Sequence, residues 1–201
     1  LTGNLIACLD EKGQSYLYTV MYYDDHDRVI QRKSNNRLNG GVEKDYIAYN
    51  FIGQPTKHKH IHSAAGKATQ SEVYSYSYDY ADRLQTTTHC LNNGPVMTLV
   101  NNEYDELGRL KHNRRNGQSN LHTNYAYNLR SWTESISSPL FCKTLYYNDT
   151  RSNPTNTRYY NGNISGMDWG VNGDKKRGYD FSYDNLSRLL YADYLENNIR
   201  N

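Results

Sequence analysis

Apolar and polar side chains alternate with period two along much of this chain. Tyr74, Tyr76, Tyr78 and Tyr80 fall on one parity, with Ser75, Ser77 and Asp79 on the other. That is the pattern of a strand whose successive side chains point to opposite faces of a sheet. Tyr16 with Tyr18, and Tyr125 with Tyr127, repeat it. Two kinds of turn punctuate the pattern. Asn-Gly occurs five times, at Asn39-Gly40, Asn93-Gly94, Asn116-Gly117, Asn161-Gly162 and Asn172-Gly173, and both residues tolerate the positive φ that a type I′ hairpin demands. The second kind reads Tyr-Asp, three residues, Arg-Leu. It appears at Tyr78-Asp79/Arg83-Leu84, Tyr104-Asp105/Arg109-Leu110 and Tyr183-Asp184/Arg188-Leu189, with an earlier copy at Tyr23-Asp24/Arg28-Val29. The leading Asp can accept a hydrogen bond from the backbone two residues on, which starts a type I turn. The fourth turn position, Gly108 at its clearest, suits the left-handed residue of a G1 bulge.

Between Asp79 and Arg130 the two turn kinds alternate every 11 to 14 residues or so, close to the spacing of an all-β chain. The expectation is an antiparallel β-hairpin meander of about a dozen strands, forming a curved or spiralling sheet with almost no helix. The nearest helical candidate is Ala64 to Glu72, and the expected irregular loop is Asn148 to Asn156, from its Asn, Asp, Ser and Pro content. Repetition at roughly 23 to 29 residues marks a repeat protein. The repeats run roughly over 16–38, 46–63, 74–92, 101–116, 123–136, 145–169 and 179–195, within one β domain over 1–201 and no separate second domain.

Composition changes this picture in one respect. Leu, Ile, Val and Phe are sparse, while 21 of the 201 residues are Tyr. A tyrosine ring buries area and keeps a polar handle, so the interior should be aromatic and wet-edged. The net charge of +2 gives no nucleic-acid footprint. No apolar run is long enough for a transmembrane helix. Cys8, Cys90 and Cys142 form no CxxC and are odd in number, against a disulfide framework or zinc site.

The Tyr-Asp/Arg-Leu motifs resemble the YD repeats of the RHS family, which includes RHS polymorphic toxins, toxin-complex shell components and teneurin adhesion proteins. Weaker copies stand at Tyr23-Asp24/Arg28-Val29 and Tyr49-Asn50/Gly53. The stretches Tyr127 to Trp132 and Tyr159 to Ser165 resemble the degenerate repeats upstream of an RHS core. The resemblance covers about Tyr16 to Tyr194. It implies a β-strip that spirals into a shell, in a secreted or cell-surface, bacterial protein. This chain would be a non-catalytic repeat segment lacking the DPxGR-type core motif and the toxin domain. The implied partner is the rest of a larger RHS protein or its C-terminal effector domain.

The candidate chemistry is thin. His58, His60 and His62 alternate within Lys57 to His62 and should share a strand face, where neutral imidazoles could bind zinc or copper, with Glu72 approaching from a neighbouring strand. A polar strand face is the favoured reading, and no metal or other cofactor is expected. Gly66-Lys67-Ala68-Thr69 lacks the earlier Gly of a phosphate loop and reads as a turn. Asp24-Asp25-His26-Asp27 lacks the Gly and Glu of an EF-hand and reads the same way. Arg28, Arg83, Arg109 and Arg188 are expected to lie over Tyr rings or bond the turn Asp. Exposed Tyr and Arg could instead serve an adhesin that binds glycan or a cell-surface protein. A metal-dependent enzyme is the remote alternative. At the sheet edges, of which Arg188 to Tyr194 is expected to be one, unpaired backbone favours a weak homodimer.

Overall fold

The computed structural model describes residues 2–9, 16–149, 151, 156–171, 174–197 and 199–200. The chain divides into two compact units, Leu1–Asn101 and Asn102–Asn201. The first holds β1 (Thr2–Leu9), β2 (Tyr16–Tyr23), β3 (Val29–Asn35), β4 (Val42–Tyr49), β5 (Pro55–Ser63), β6 (Gln70–Tyr78), β7 (Leu84–Leu91) and the start of β8 (Met97–Tyr104). The second holds the end of β8 with β9 (Leu110–Arg115), β10 (His122–Tyr127), β11 (Thr133–Ser137), β12 (Phe141–Tyr146), β13 (Gly166–Val171), β14 (Arg177–Tyr183), β15 (Leu189–Glu196) and β16 (Ile199–Arg200). Within each unit, strand order is chain order and neighbours pair antiparallel. This is the all-β hairpin meander that the alternation predicts. Among the described residues the only helical turn is a 3-10 turn at Ser119–Leu121, and no helix is long and apolar enough to cross a membrane.

The Tyr-Asp turns form as expected. The fourth residue is left-handed at Asp27 (φ 58°), Gly53 (91°), Asp82 (63°), Gly108 (82°), Ser131 (62°) and Ser187 (61°). Beside five of these turns the register slips by one, at Tyr23, Tyr49, Tyr78, Tyr127 and Tyr183, the signature of a G1 bulge. The Asn-Gly pairs divide. Asn116 and Gly117 make the expected I′ turn, with φ of 51° and 61°. At Asn93-Gly94 the central pair is instead Asn92-Asn93 (49° and 56°), closed by Gly94 N–H on the Leu91 carbonyl at 2.8 Å. Gly162 (99°) lies in the long connection from β12 to β13 rather than in a two-residue hairpin turn. Asn172-Gly173 falls outside the described residues.

Two expectations are corrected. Ala64 to Glu72 is not helical: Lys67 N–H closes a turn on the Ala64 carbonyl at 3.2 Å, and β6 begins at Gln70. Gly66 at φ 72° and the serine-rich alternation that follows favour turn and strand over helix. Tyr80 does not share the face of Tyr74, Tyr76 and Tyr78. It lies in the turn, 97% exposed, because the bulge at Tyr78 ends the alternation. Arg188 to Tyr194 runs along the sheet edge as expected, since Ile199–Arg200 pairs only with Leu195 and Glu196, beyond it. Leu189 to Asp193 pairs on one side with β14 and, among the described residues, with no strand on the other. As the irregular-loop expectation for Asn148 to Asn156 requires, the described residues between β12 and β13 form no strand.

Fully buried apolar residues are few. Among the described residues they are Tyr147 and Leu195, at 7% and 1% exposure. Most strand side chains are half-buried, so cohesion comes from backbone ladders and cross-strand pairs more than from a closed core.

Candidate functional site

The repeated turns are built from the same contacts. The Asp24 Oδ1 accepts the His26 and Arg28 N–H groups, both at 2.9 Å, and its Oδ2 accepts Arg28 Nε at 2.7 Å. Asp79 holds Ala81 N–H (2.9 Å), Arg83 N–H (3.0 Å) and Arg83 Nε (2.7 Å) in the same way. Asp105 with Leu107 and Arg109, and Asp184 with Leu186 and Arg188, complete the set. The Arg83 side chain holds the Asp79 carboxyl below its ordinary range, and the Arg188 N–H does so for Asp184. Two further turns replace Asp with Asn. Asn50 pairs with Gln54 through Nδ2 to Oε1 at 2.9 Å. Asn128 accepts the Arg130 and Trp132 N–H groups at 2.9 and 3.0 Å. An amide cannot hold a guanidinium as a carboxylate does, and in these copies Gln or Trp stands where Arg otherwise does.

Within a unit, successive turns are also fastened together. The Tyr preceding a turn donates its hydroxyl to the first strand carbonyl after the previous turn: Tyr49 to Val29 (2.9 Å), Tyr78 to Pro55 (2.8 Å), Tyr127 to Leu110 (2.9 Å) and Tyr147 to Thr133 (3.0 Å). Burial raises the pKa of Tyr78, Tyr127 and Tyr147, which keeps them protonated as donors. The previous turn's Arg covers the same ring, Arg28 over Tyr49 at 4.9 Å and Arg109 over Tyr127 at 4.8 Å. Arg109 Nη1 continues to the Asn128 carbonyl at 3.2 Å. The Asp and Arg expected from the sequence therefore bracket the turns, and the motif Tyr and Leu end and begin the flanking strands. The bond from each Tyr to the previous repeat was not legible, because it joins residues about 20 apart.

The histidine run lies on β5 with His58, His60 and His62 on one face, as its spacing predicts. Its carboxylates come from β4 rather than from Glu72. Asp45, 6% exposed, accepts from His60 Nδ1 (2.8 Å), His58 Nε2 (3.0 Å) and Arg32 Nε (2.9 Å). Glu43 meets His62 Nδ1 at 2.6 Å and His60 Nε2 at 3.2 Å. Burial raises the Asp45 pKa, and the hydrogen bonds from His60 and His58 with the Arg32 charge more than offset it, so its carboxyl sits below the ordinary range. Glu72 takes the Tyr74 hydroxyl at 3.2 Å and lies 3.8 Å from His89. His60 bridges Asp45 and Glu43, with His58 on the first carboxylate and His62 on the second. Among the described residues, three ligand-type atoms lie within 4.8 Å of one another only at Asp24, Asp25 and His26, where the Asp24 carboxylate is already spent on its turn.

The second unit contains a buried ionic centre that the sequence did not signal. Arg151, 4% exposed, pairs with Asp168 at 2.7 Å and with Asp180, and it reaches the Met167 carbonyl at 3.2 Å. Its guanidinium lies over the Tyr146 ring at 5.1 Å, and the Tyr146 hydroxyl donates to Asp168 at 2.9 Å. Asn156 accepts the Arg151 N–H at 2.7 Å and bonds Ser165. These contacts fasten the described part of the β12–β13 connection onto β13 and β14.

No family model matches this chain, and no curated protein matches it. Among solved structures, a chain of the "Crystal Structure of TcdB2-TccC3-Cdc42" is 12% identical with a TM-score of 0.44. The likeness covers 88% of this chain and 10% of that one, so this chain spans about a tenth of that chain's length.

Proposed function

We propose that this chain is a non-catalytic structural segment of a secreted or cell-surface, bacterial protein of the RHS/YD-repeat kind, whose sheet walls or presents an associated effector domain. One observation carries the reading. The Asp, Arg and Tyr of the repeat motif spend their polar atoms on their own turn and on the next one, as Asp105, Arg109 and Tyr127 do. A motif used this way propagates a strip of hairpins. The half-covered faces of the sheet support the same reading, since they leave surface for another domain to cover.

Limited proteolysis of the longer protein tests it. The effector domain should resist digestion while this segment is intact. It should be cleaved when Asp79→Ala, Asp105→Ala and Asp184→Ala together loosen the turns. Equal digestion rates in both cases would overturn the proposal.

A further inference from the structure

The two faces of the first unit differ in the sign of their charge. Registers run Met21–Arg32–Asp45–His60–Glu72 on one face and Val20–Lys33–Lys44–Ile61–Ser71 on the other. The three acidic residues of the described strands here, Glu43, Asp45 and Glu72, all lie on the histidine face. The opposite face carries Lys33, Lys44, Lys57 and Lys59 and no carboxylate. Lys33 and Lys44 stand directly opposite each other in the β3–β4 ladder, and Lys59 is the diagonal neighbour of Lys44. Like charges directly opposite destabilise a sheet. Lys33 lies 5.6 Å over the Tyr22 ring, but among the described residues no carboxylate pairs with any of the four.

The rest of the face suits one class of partner. Tyr46 (37% exposed), Tyr18 (45%) and Tyr16 (52%) present rings beside the ammonium groups. Columns of hydroxyls follow at Ser71, Ser75, Thr86 and Thr88. Across β3 to β7, Tyr46 is the one exposed large apolar residue on this face among those described, so the surface around the lysines is polar and charged rather than apolar. Among the described strand residues of this face there is no arginine, whose fork suits phosphate. We propose that the lysine face of the first unit binds a linear anionic polysaccharide, its carboxylates or sulfates on Lys33, Lys44, Lys57 and Lys59 and its sugar rings against the exposed tyrosines. The uncompensated Lys33–Lys44 pair is then kept for binding at the expense of stability.

Titration calorimetry on the whole chain tests this with polygalacturonate, chondroitin sulfate, neutral dextran, oligo-dT and poly-glutamate. One or both anionic polysaccharides should bind, and which one binds separates carboxylate from sulfate recognition. Affinity should fall steeply between about 0.1 M and 1 M salt, as the screening length shrinks from about 10 to about 3 Å. Lys33→Gln with Lys44→Gln, and separately Lys57→Gln with Lys59→Gln, should each weaken binding by about tenfold. Lys67→Gln and Lys111→Gln, off this face, should not. The Lys33/Lys44 variant should also unfold at an equal or higher temperature, because a repulsion has been removed. No binding to either anionic polysaccharide would overturn the proposal. So would equal binding of dextran, oligo-dT or poly-glutamate, or a lowered unfolding temperature in the Lys33/Lys44 variant. None of these outcomes bears on the proteolysis test of the structural role.

Discussion

The guanidinium of Arg109 lies 4.8 Å above the ring of Tyr127, although the two residues belong to successive repeat turns. The same ring sends its hydroxyl to the Leu110 carbonyl at 2.9 Å, so ring and hydroxyl fasten one turn to the next in two ways. Tyr127→Phe should remove the hydrogen bond alone and cost about 1 kcal/mol in urea unfolding. Arg109→Ala should cost a similar amount. A double-mutant cycle between Arg109→Ala and Tyr127→Leu should show a coupling of about 0.5–1 kcal/mol. Strict additivity would mean that the stacking holds nothing together.

Gly108 occupies the left-handed turn position at φ 82°. Gly108→Val should cost about 1–2 kcal/mol, because a β-branched side chain is strained there. Gly108→Asp should cost about half as much or less, since Asp tolerates the conformation and Asp27 and Asp82 adopt it in sister turns. Equal unfolding midpoints for the Val and Asp variants would contradict the bulge.

The depressed pKa of Asp45 sets an acid limit on the first unit. A carboxyl whose folded pKa lies below its unfolded value stabilises the fold above the unfolded pKa and loses that contribution as pH falls through the folded one. With an ordinary value of 3.8, the loss should begin near pH 4 and deepen below it. Urea midpoints followed by tyrosine fluorescence from pH 6 to pH 2.5 should fall on the acid side, and Asp45→Asn should flatten that fall. An identical acid slope in the variant would remove Asp45 from the explanation.

Arg151 is the buried cation that joins two almost fully buried carboxylates, Asp168 at 3% and Asp180 at 6%. Arg151→Met should destabilise the second unit by about 3–5 kcal/mol, because it leaves buried charge without its partner. Lys176→Met, which removes a half-exposed contact to Asp168, should cost under about 1 kcal/mol. Thermal unfolding of the two variants side by side checks the contrast.

The unpaired side of Leu189 to Asp193 offers backbone groups to another chain, and Leu190 and Tyr191 there are 55% and 66% exposed. Weak, concentration-dependent self-association is expected in sedimentation velocity. Leu190→Lys should suppress it, as edge lysines do. A monomer at all concentrations would rule out the edge as a docking strand.

Local chemistry made the hairpin architecture legible in the sequence. Period-two alternation, Asp at the first turn position and Gly108 at the fourth each act within a few residues, so the strands and their bulged turns could be read directly. The shared face of His58, His60 and His62 was legible for the same reason. Which residues meet across the sheet depends on register, and register is fixed jointly by turn length, bulge and pairing over many residues. Only the folded chain therefore decided that Glu43 and Asp45 rather than Glu72 receive the histidines. It also decided that Tyr127 bonds the carbonyl of Leu110, and that four lysines gather on a face without acids. Arg151 is the extreme case. It lies in an irregular connection with no periodicity to announce its burial, and its partners Asp168 and Asp180 are brought to it by two later strands.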